Sequence, residues 1–456
     1  MSTDSILFFI AVFCTYILCW FSRIKYRLWI ISALSILFII FINPKTSIIF
    51  FALAVCNFNF VKRFKSTFFS TALVIINIAF LITLKYLPTH SIYFFESNHL
   101  VPIGFSIFIF QQISFIVDAK HLDVKNLTFF EYIFYSIFFG NITTGPINQF
   151  SFFQDQKERI LLFTKSGIDL GVIYICTGLF KKLVVADNVS QLTVFLFDGK
   201  LYESNLIIPF VFSKYEIYAN FSGYSDIAIG LCSLFGFTVP KNFNRPFATT
   251  SIIEFWKRWH MSLTAWIRQY VFYPLTISKL NRFGPYPIMA ITFIIFALWH
   301  DITWIYITYG LIQVILIFLS YKLGFIKSLI DNAGIFKPVV TLIKWLWFYL
   351  ILISVPGILF RSESFTQFFK ILQNLVSTPL STANYFVMHA MSSIYTCIMV
   401  IILMEILDRY FPQEKILKVL SHKKIFFKSF VFLLLIVTIA LLRQNIASSN
   451  FIYSNY

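Results

Sequence analysis

The chain has 456 residues, of which 58% are hydrophobic and only 12% charged, with 59 Phe and 23 Tyr. A soluble protein carries about 25% charged residues, so this composition excludes one, and lipid is the solvent that remains. The net charge of +17 falls in short clusters between apolar runs. That is the positive-inside pattern of cytoplasmic loops, and no nucleic-acid partner is expected from it.

Taken in order, apolar runs lie near 6–21, 28–42, 47–61, 67–87 and 99–117. The start carries Asp4 and no basic n-region, so Ile6 to Phe21 reads as a retained first span that begins outside. Arg23, Lys25 and Arg27 follow it; Lys62, Arg63 and Lys65 mark a second basic loop; Lys120 and Lys125 mark a third. The loop 88–98 has no Lys or Arg, so basic and bare loops alternate as an outside start requires. Later runs lie near 168–185, 206–219, 222–238, 286–300, 301–321, 338–360, 385–408 and 425–442, and the basic loop 409–428 belongs to the cytoplasmic side. We expect an all-α, polytopic transmembrane helical protein of about 11–12 membrane segments, forming one domain over residues 1–456.

The stretch Asn220 to Arg282 departs from this pattern. Asn220, Ser222, Tyr224, Ser225 and Asp226 interrupt one apolar run, and Lys257, Arg258 and Arg268 alternate with Trp256, Trp259 and Trp266. Such a segment suits helices at or dipping into the cytoplasmic interface. Then His300 and Asp301 arrive inside an apolar run. If the preceding helix starts at the cytoplasmic face, His300 lies about a dozen residues in, roughly 18 Å at the helical rise. It is therefore past the middle of a hydrocarbon layer about 30 Å thick. A charged Asp at that depth costs roughly 2.5–3.5 kcal/mol, so the pair faces a cavity or a partner rather than lipid. A hydrogen-bonded structural His, with Asp301 capping the next helix, is the alternative. The six cysteines, Cys14, Cys19, Cys56, Cys176, Cys232 and Cys397, form no CxxC and read as core or lipid-facing residues, so no metal site is expected. His90, His99, His121, His389 and His422 lie in loops or near span ends without a motif.

VPIGFSIFIFQQISFIVD (101–118), TGPI (144–147), GLFKKLVVADN (178–188), YANFSGYSDIAIGLCSLFGF (218–237), NFNRPF (242–247), FWKRWHMSLTAWIRQYVFYPL (255–275) and ALWH (297–300) occur in that order. Together they resemble the membrane-bound O-acyltransferase family, in the bacterial branch that acetylates alginate and other cell-surface polymers and that also contains the teichoic-acid D-alanylation protein. The resemblance covers about residues 100–320. It implies a funnel of helices around a tunnel across the bacterial cell membrane, with catalytic histidines at His300 and His260. It also implies an acyl group taken from a cytoplasmic thioester donor, acetyl-CoA or a carrier-protein thioester, with no bound cofactor. The acyl group leaves toward the outer face, usually to an extracytoplasmic acyltransferase partner that serves a polysaccharide acceptor. This chain departs from the family pattern at three positions: Asp301 for Gly, Gln269 for Asp and Asn220 for Asp.

Acyl transfer from a thioester to a hydroxyl needs a base near neutrality, and histidine is matched to that pH. His300 is the candidate base, with an acyl-histidine intermediate as an open alternative. His260 reads either as a cavity residue that aligns substrate or as an interfacial His on backbone. Lys257, Arg258 and Arg268 are donor-binding candidates, or partners of membrane lipid phosphates. Asp301, Trp259, Asn220, Ser222, Tyr224 and Asp226 are tunnel candidates, and the FSGYSD residues can equally brace helices. Two further functions stay open: D-alanyl transfer from a carrier protein to teichoic acid, and a transporter or proton relay using His300 and Asp301.

Overall fold

The computed structural model describes residues 6–42, 44–86, 104–193, 206–322, 336–377 and 383–442. The loop 88–98 with its His90, together with His99 and Asp4, lies outside these residues, as does the side chain of His389. Among the described residues every regular element is helical. The expectation of an all-α protein holds. In chain order we number α1 (Ile6–Phe21), α2 (Ile24–Ile42), α3 (Pro44–Arg63), α4 (Thr67–Tyr86), α5 (Phe105–Asp118), α6 (Phe129–Ile137), α7 (Phe150–Gln154) and α8 (Lys165–Leu179). Then come α9 (Asp187–Thr193), α10 (Ile207–Leu234), α11 (Ile252–Trp256), α12 (Met261–Ile267), α13 (Tyr273–Thr276), α14 (Pro285–Leu298) and α15 (Trp304–Lys322). The rest are α16 (Lys337–Trp347), α17 (Val355–Arg361), α18 (Phe365–Ser377), α19 (Ala383–Tyr410), α20 (Gln413–Ser421) and α21 (Ile425–Leu442).

Four helical runs among the described residues are long and apolar enough to cross a bilayer: Ile24–Ile42, Thr67–Leu84, Trp304–Tyr321 and the continuous Lys337–Arg361. Leu7–Phe21, Phe105–Asp118, Pro285–Leu298 and Phe426–Leu442 are shorter and equally apolar. Their outer faces expose large apolar side chains such as Phe13, Trp29, Phe41, Leu433 and Leu441. A surface of that kind is stable against hydrocarbon and not against water.

The runs 206–219 and 222–238, read from sequence as two spans, are one 28-residue helix, α10. The polar residues of FSGYSD do not break it because they face protein. Gly223 crosses Gly178 of α8 so closely that a Cβ at Gly178 would lie 2.6 Å from the Gly223 carbonyl oxygen. Small residues at such a crossing let two backbones touch where lipid supplies no hydrophobic drive. The run 168–185 likewise continues past α8 through a wide π-helical stretch, Phe180–Ala186, into α9.

Beside the glycine crossing, the Lys181 ammonium lies 2.9 Å from Asp226 of α10 and 2.9 Å from Asp408 of α19. The Tyr218 hydroxyl donates to the same Asp408 at 2.9 Å. A second buried polar knot joins α3 to α6. Asn57 donates to Asn77 at 3.1 Å and to Gln112 at 3.0 Å, Gln112 donates to Ser136 at 3.1 Å, and the Tyr132 hydroxyl donates to Gln112. With no water available at this depth, these side chains satisfy one another and fix how the helices sit.

Candidate active site

His300 sits at the end of α14, its backbone N–H donating to the Ala297 carbonyl at 2.9 Å. Asp301 turns the chain: its carboxylate accepts the Ile302 N–H at 2.8 Å, just before α15 begins. The imidazole of His300 is 2% exposed. Trp299 and Phe360 cage it at 4.4 and 4.7 Å between ring centres.

His260 comes from a different part of the chain and a different kind of structure. It precedes α12 with a left-handed backbone, φ 43°, a conformation that costs a non-glycine residue of order 1–3 kcal/mol and persists only where surroundings impose it. Here the NFNRPF stretch imposes it. The Asn242 carbonyl accepts the Met261 N–H at 2.8 Å, and the Arg258 carbonyl accepts the Asn244 N–H at 3.0 Å. The Asn242 amide donates to Ser225 of α10 at 3.0 Å and accepts the Ser262 hydroxyl, which in turn accepts the Ile147 N–H at 3.0 Å. The His260 ring stands perpendicular to Phe221, with centres 4.7 Å apart. Asn242→Ala is expected to take away the donor to the Ser225 hydroxyl and the acceptor of the Ser262 hydroxyl proton, at a cost of about 1–3 kcal/mol, and to let His260 relax. Turnover then falls by more than the drop in unfolding midpoint accounts for, with thermal unfolding and kcat measured on the same preparation.

His260 and His300 line one cavity of about 60 Å³. Its walls come from α10, from the 247–260 stretch, from the α14–α15 hairpin and from Leu352–Arg361. That space holds a handful of water-sized groups, the scale of an acetyl thioester and not of a sugar polymer. The lining is mostly aromatic and aliphatic, and Trp256 is held in it by an indole hydrogen bond to Gln313 at 3.2 Å. The wide π-helical stretch Phe348–Ser354 supplies part of the wall, as such stretches often do at functional sites.

Of the residues singled out in the sequence, the cavity gathers His300, His260 and Trp259. Asp301 is outside the lining and caps the turn. Asn220 and Ser222 are buried within α10, Tyr224 faces Lys182 at 5.7 Å, and Asp226 pairs with Lys181; none lines the cavity. These FSGYSD residues brace the α8–α10 crossing. Lys257 and Arg268 are exposed and Arg258 is partly so, and none reaches the cavity. Lys257 pairs with Glu254 at 2.7 Å, a hydrogen bond that draws this carboxyl below its usual range. His121 and His422 are exposed and remote from the lining. Cys19, Cys176, Cys232 and Cys397 are buried, and Cys14 and Cys56 are exposed.

Sequence reasoning missed Lys214, Gln313, Gly357 and Arg361, all of which line the cavity. Arg361 pairs with Glu216 at 2.9 Å, and Glu216 also accepts the Thr193 hydroxyl at 2.8 Å. Lys214 is 4% exposed, and its ammonium has no hydrogen-bond partner among the described residues. The signal was available: Lys214 and Glu216 interrupt an apolar run, the same criterion that marked His300.

An all-helical membrane protein built around a buried two-histidine cavity is thus defined. A model of the membrane-bound O-acyltransferase family matches residues 114–360, more than half of the chain and nearly every wall of the cavity. The chain belongs to that family, and is a multi-pass membrane protein. Among curated relatives, it is 30% identical over 276 residues to a probable alginate O-acetylase of Pseudomonas putida, covering 59% of this chain and 54% of that one. It is 31% identical over 252 residues to a peptidoglycan O-acetyltransferase of Helicobacter pylori, covering 48% and 47%. A teichoic acid D-alanyltransferase of Streptococcus thermophilus is 29% identical over 228 residues, covering 46% and 54%. The chain spans about half the length of the curated relatives it matches.

Proposed function

We propose that this protein is an O-acyltransferase of a bacterial cell membrane. It takes acetyl groups from a cytoplasmic thioester, acetyl-CoA, and passes them outward for O-acetylation of a cell-envelope or extracellular polysaccharide. The observation that carries this reading is the convergence of His260 and His300, forty positions apart in sequence, on one narrow buried cavity. In this reading His300 removes the proton of the acceptor hydroxyl. The oxygen attacks the thioester carbonyl carbon, the C–S bond breaks, and the thiolate leaves and is protonated. A positioned base of this kind contributes about 10²–10⁴-fold. His260 and Trp259 align the reacting groups, and the aromatic walls exclude water that would hydrolyse the thioester. Because the cavity is too small for a polymer, an extracytoplasmic partner that completes the transfer fits the geometry.

D-alanyl transfer is the second reading, favoured by the similarity to D-alanyltransferases. A D-alanyl group carries an ammonium, and the described cavity lining holds no acidic side chain to receive it. This electrostatic argument favours acetyl. A proton relay through Asp301 is disfavoured because that carboxylate serves the turn. The test is acyl transfer by membranes that contain the protein together with its neighbouring gene products, supplied with radiolabelled acetyl-CoA or with carrier-bound D-alanine. Label from acetyl-CoA in a saccharide acceptor supports the proposal. Label from D-alanine alone overturns the acetyl assignment.

A further inference from the structure

Two hydrogen-bond donors in the cavity wall have no use in the fold. Tyr309 and Gln313 stand one turn apart on α15, so they share a face of that helix, and both line the cavity of His260 and His300. Gln313 is 3% exposed, and its side-chain carbonyl oxygen accepts the Trp256 indole N–H at 3.2 Å. An indole only donates. The bond therefore fixes which way the amide points and leaves its NH2 end to the cavity. Among the described residues, neither that NH2 group nor the Tyr309 hydroxyl has a hydrogen-bond partner. Both donors lie close to the candidate base. Phe360 touches the His300 imidazole and the Tyr309 ring, at 4.7 and 5.0 Å between ring centres. Phe296 touches His300 and Trp256, at 5.6 and 5.2 Å. Gly310 permits this closeness: a Cβ there would lie 2.8 Å from the Phe293 carbonyl oxygen, so α15 packs directly on the backbone of α14, which ends at His300. In a mostly aromatic and aliphatic lining an unmade hydrogen bond is costly, and a ligand oxygen that accepts from both donors removes the cost.

We propose that Tyr309 and Gln313 are catalytic residues that form an oxyanion hole, holding the carbonyl oxygen of the thioester. This rests on the acyl-transfer reading above and deepens it. When the acceptor oxygen bonds to the carbonyl carbon, its proton goes to His300 and an electron pair of the C=O bond moves onto the carbonyl oxygen. The Tyr309 O–H and a Gln313 N–H donate to that negative charge. As the C=O bond re-forms, the C–S bond breaks, and the thiolate leaves and takes the proton from His300. Donors fixed in advance in a dry site need no reorganisation at the moment of reaction. A neutral pair does this without holding a charge of its own at membrane depth between turnovers.

The test has two readouts. The first is the initial rate of label transfer from acetyl-CoA by membranes that contain the protein with its neighbouring gene products, per amount of folded protein. Tyr309→Phe and Gln313→Met are each expected to lower kcat on the order of 100-fold. KM for acetyl-CoA should change much less, because the interaction is strongest in the transition state. Trp256→Phe keeps the amide and only frees it to turn, so it should lose less than Gln313→Met. Equal losses would make Gln313 a support for the indole and overturn its assignment. The second readout needs no turnover: infrared spectra of the full-length protein in nanodiscs with acetyl-CoA labelled by carbon-13 at the acetyl carbonyl. Wild type should move the carbonyl stretch to lower frequency than in free acetyl-CoA, and each variant should give back part of that shift. Tyr309→Phe removes a single oxygen atom and carries the test alone if Gln313→Met fails to fold. A shift that depends on Tyr309 and Gln313, without transfer, keeps the carbonyl site and defeats the acyl-transfer reading. An unshifted carbonyl in wild type, or the wild-type shift and rate in either variant, overturns the inference.

Discussion

Replacing His300 by alanine is expected to lower acyl-transfer turnover by about 10²–10⁴-fold while the protein stays folded. The imidazole is buried among Trp299, Phe360 and Phe296, so its removal leaves a small void, and the cost of such a void is of order 1–3 kcal/mol. Stability and activity therefore separate. The variant should purify and unfold cooperatively within a few degrees of wild type, and transfer no label above background. A variant that keeps a tenth or more of the turnover would remove His300 from the chemistry. A rate lost only in proportion to a lost fold would return it to a packing role.

The largest stability effect is expected at a position with no part in the chemistry. Lys181→Met leaves Asp226 and Asp408 facing one another without the ammonium that lies 2.9 Å from each. Breaking a buried ion pair by removing one partner costs about 3–5 kcal/mol, because the remaining charges stay desolvated and unpaired. Combining Lys181→Met with Asp226→Asn and Asp408→Asn should recover much of that loss, since the cost lies in the uncompensated charges. Thermal unfolding of wild type, Lys181→Met and the combined variant in one detergent checks both expectations. A single Lys181→Met variant as stable as wild type would mean that the triad does not hold α10 and α19 to the α8 extension.

Much of this was legible from residue order. The apolar runs predicted helices, and the ordered FSGYSD, FWKRWH and ALWH motifs pointed to the two histidines. Polar interruptions were a poorer guide. Ser222, Tyr224 and Asp226 read as a break between two spans, yet α10 runs unbroken because a partner helix, not water, satisfies them. Asp301 read either as a companion of the base or as the cap of the next helix, and a local turn uses its carboxylate. The opposite error concerned Lys214 and Arg361. Lys214, with Glu216, interrupts one apolar run and Arg361 closes another, and only tertiary packing reveals that α10 and α17 bring them to the same wall. Gly357 carried no signal at all, since its role is to leave space for an atom from a residue far away in sequence.

The order in which the cavity walls occur along the chain also bears on biogenesis. The two histidines are made before the wall that runs from Leu352 to Arg361, so during synthesis they wait on an open, half-built surface. Until that wall arrives, His260, His300 and Lys214 share an apolar setting with whatever lipid or insertion machinery surrounds the nascent chain. A ribosome stalled before residue 352 would thus leave a bundle that has inserted most of its helices but cannot yet shield a thioester from water. On the acyl-transfer proposal, the cavity becomes competent only when a late helix closes it, and quality control that senses exposed intramembrane charge would have the same short interval in which to act.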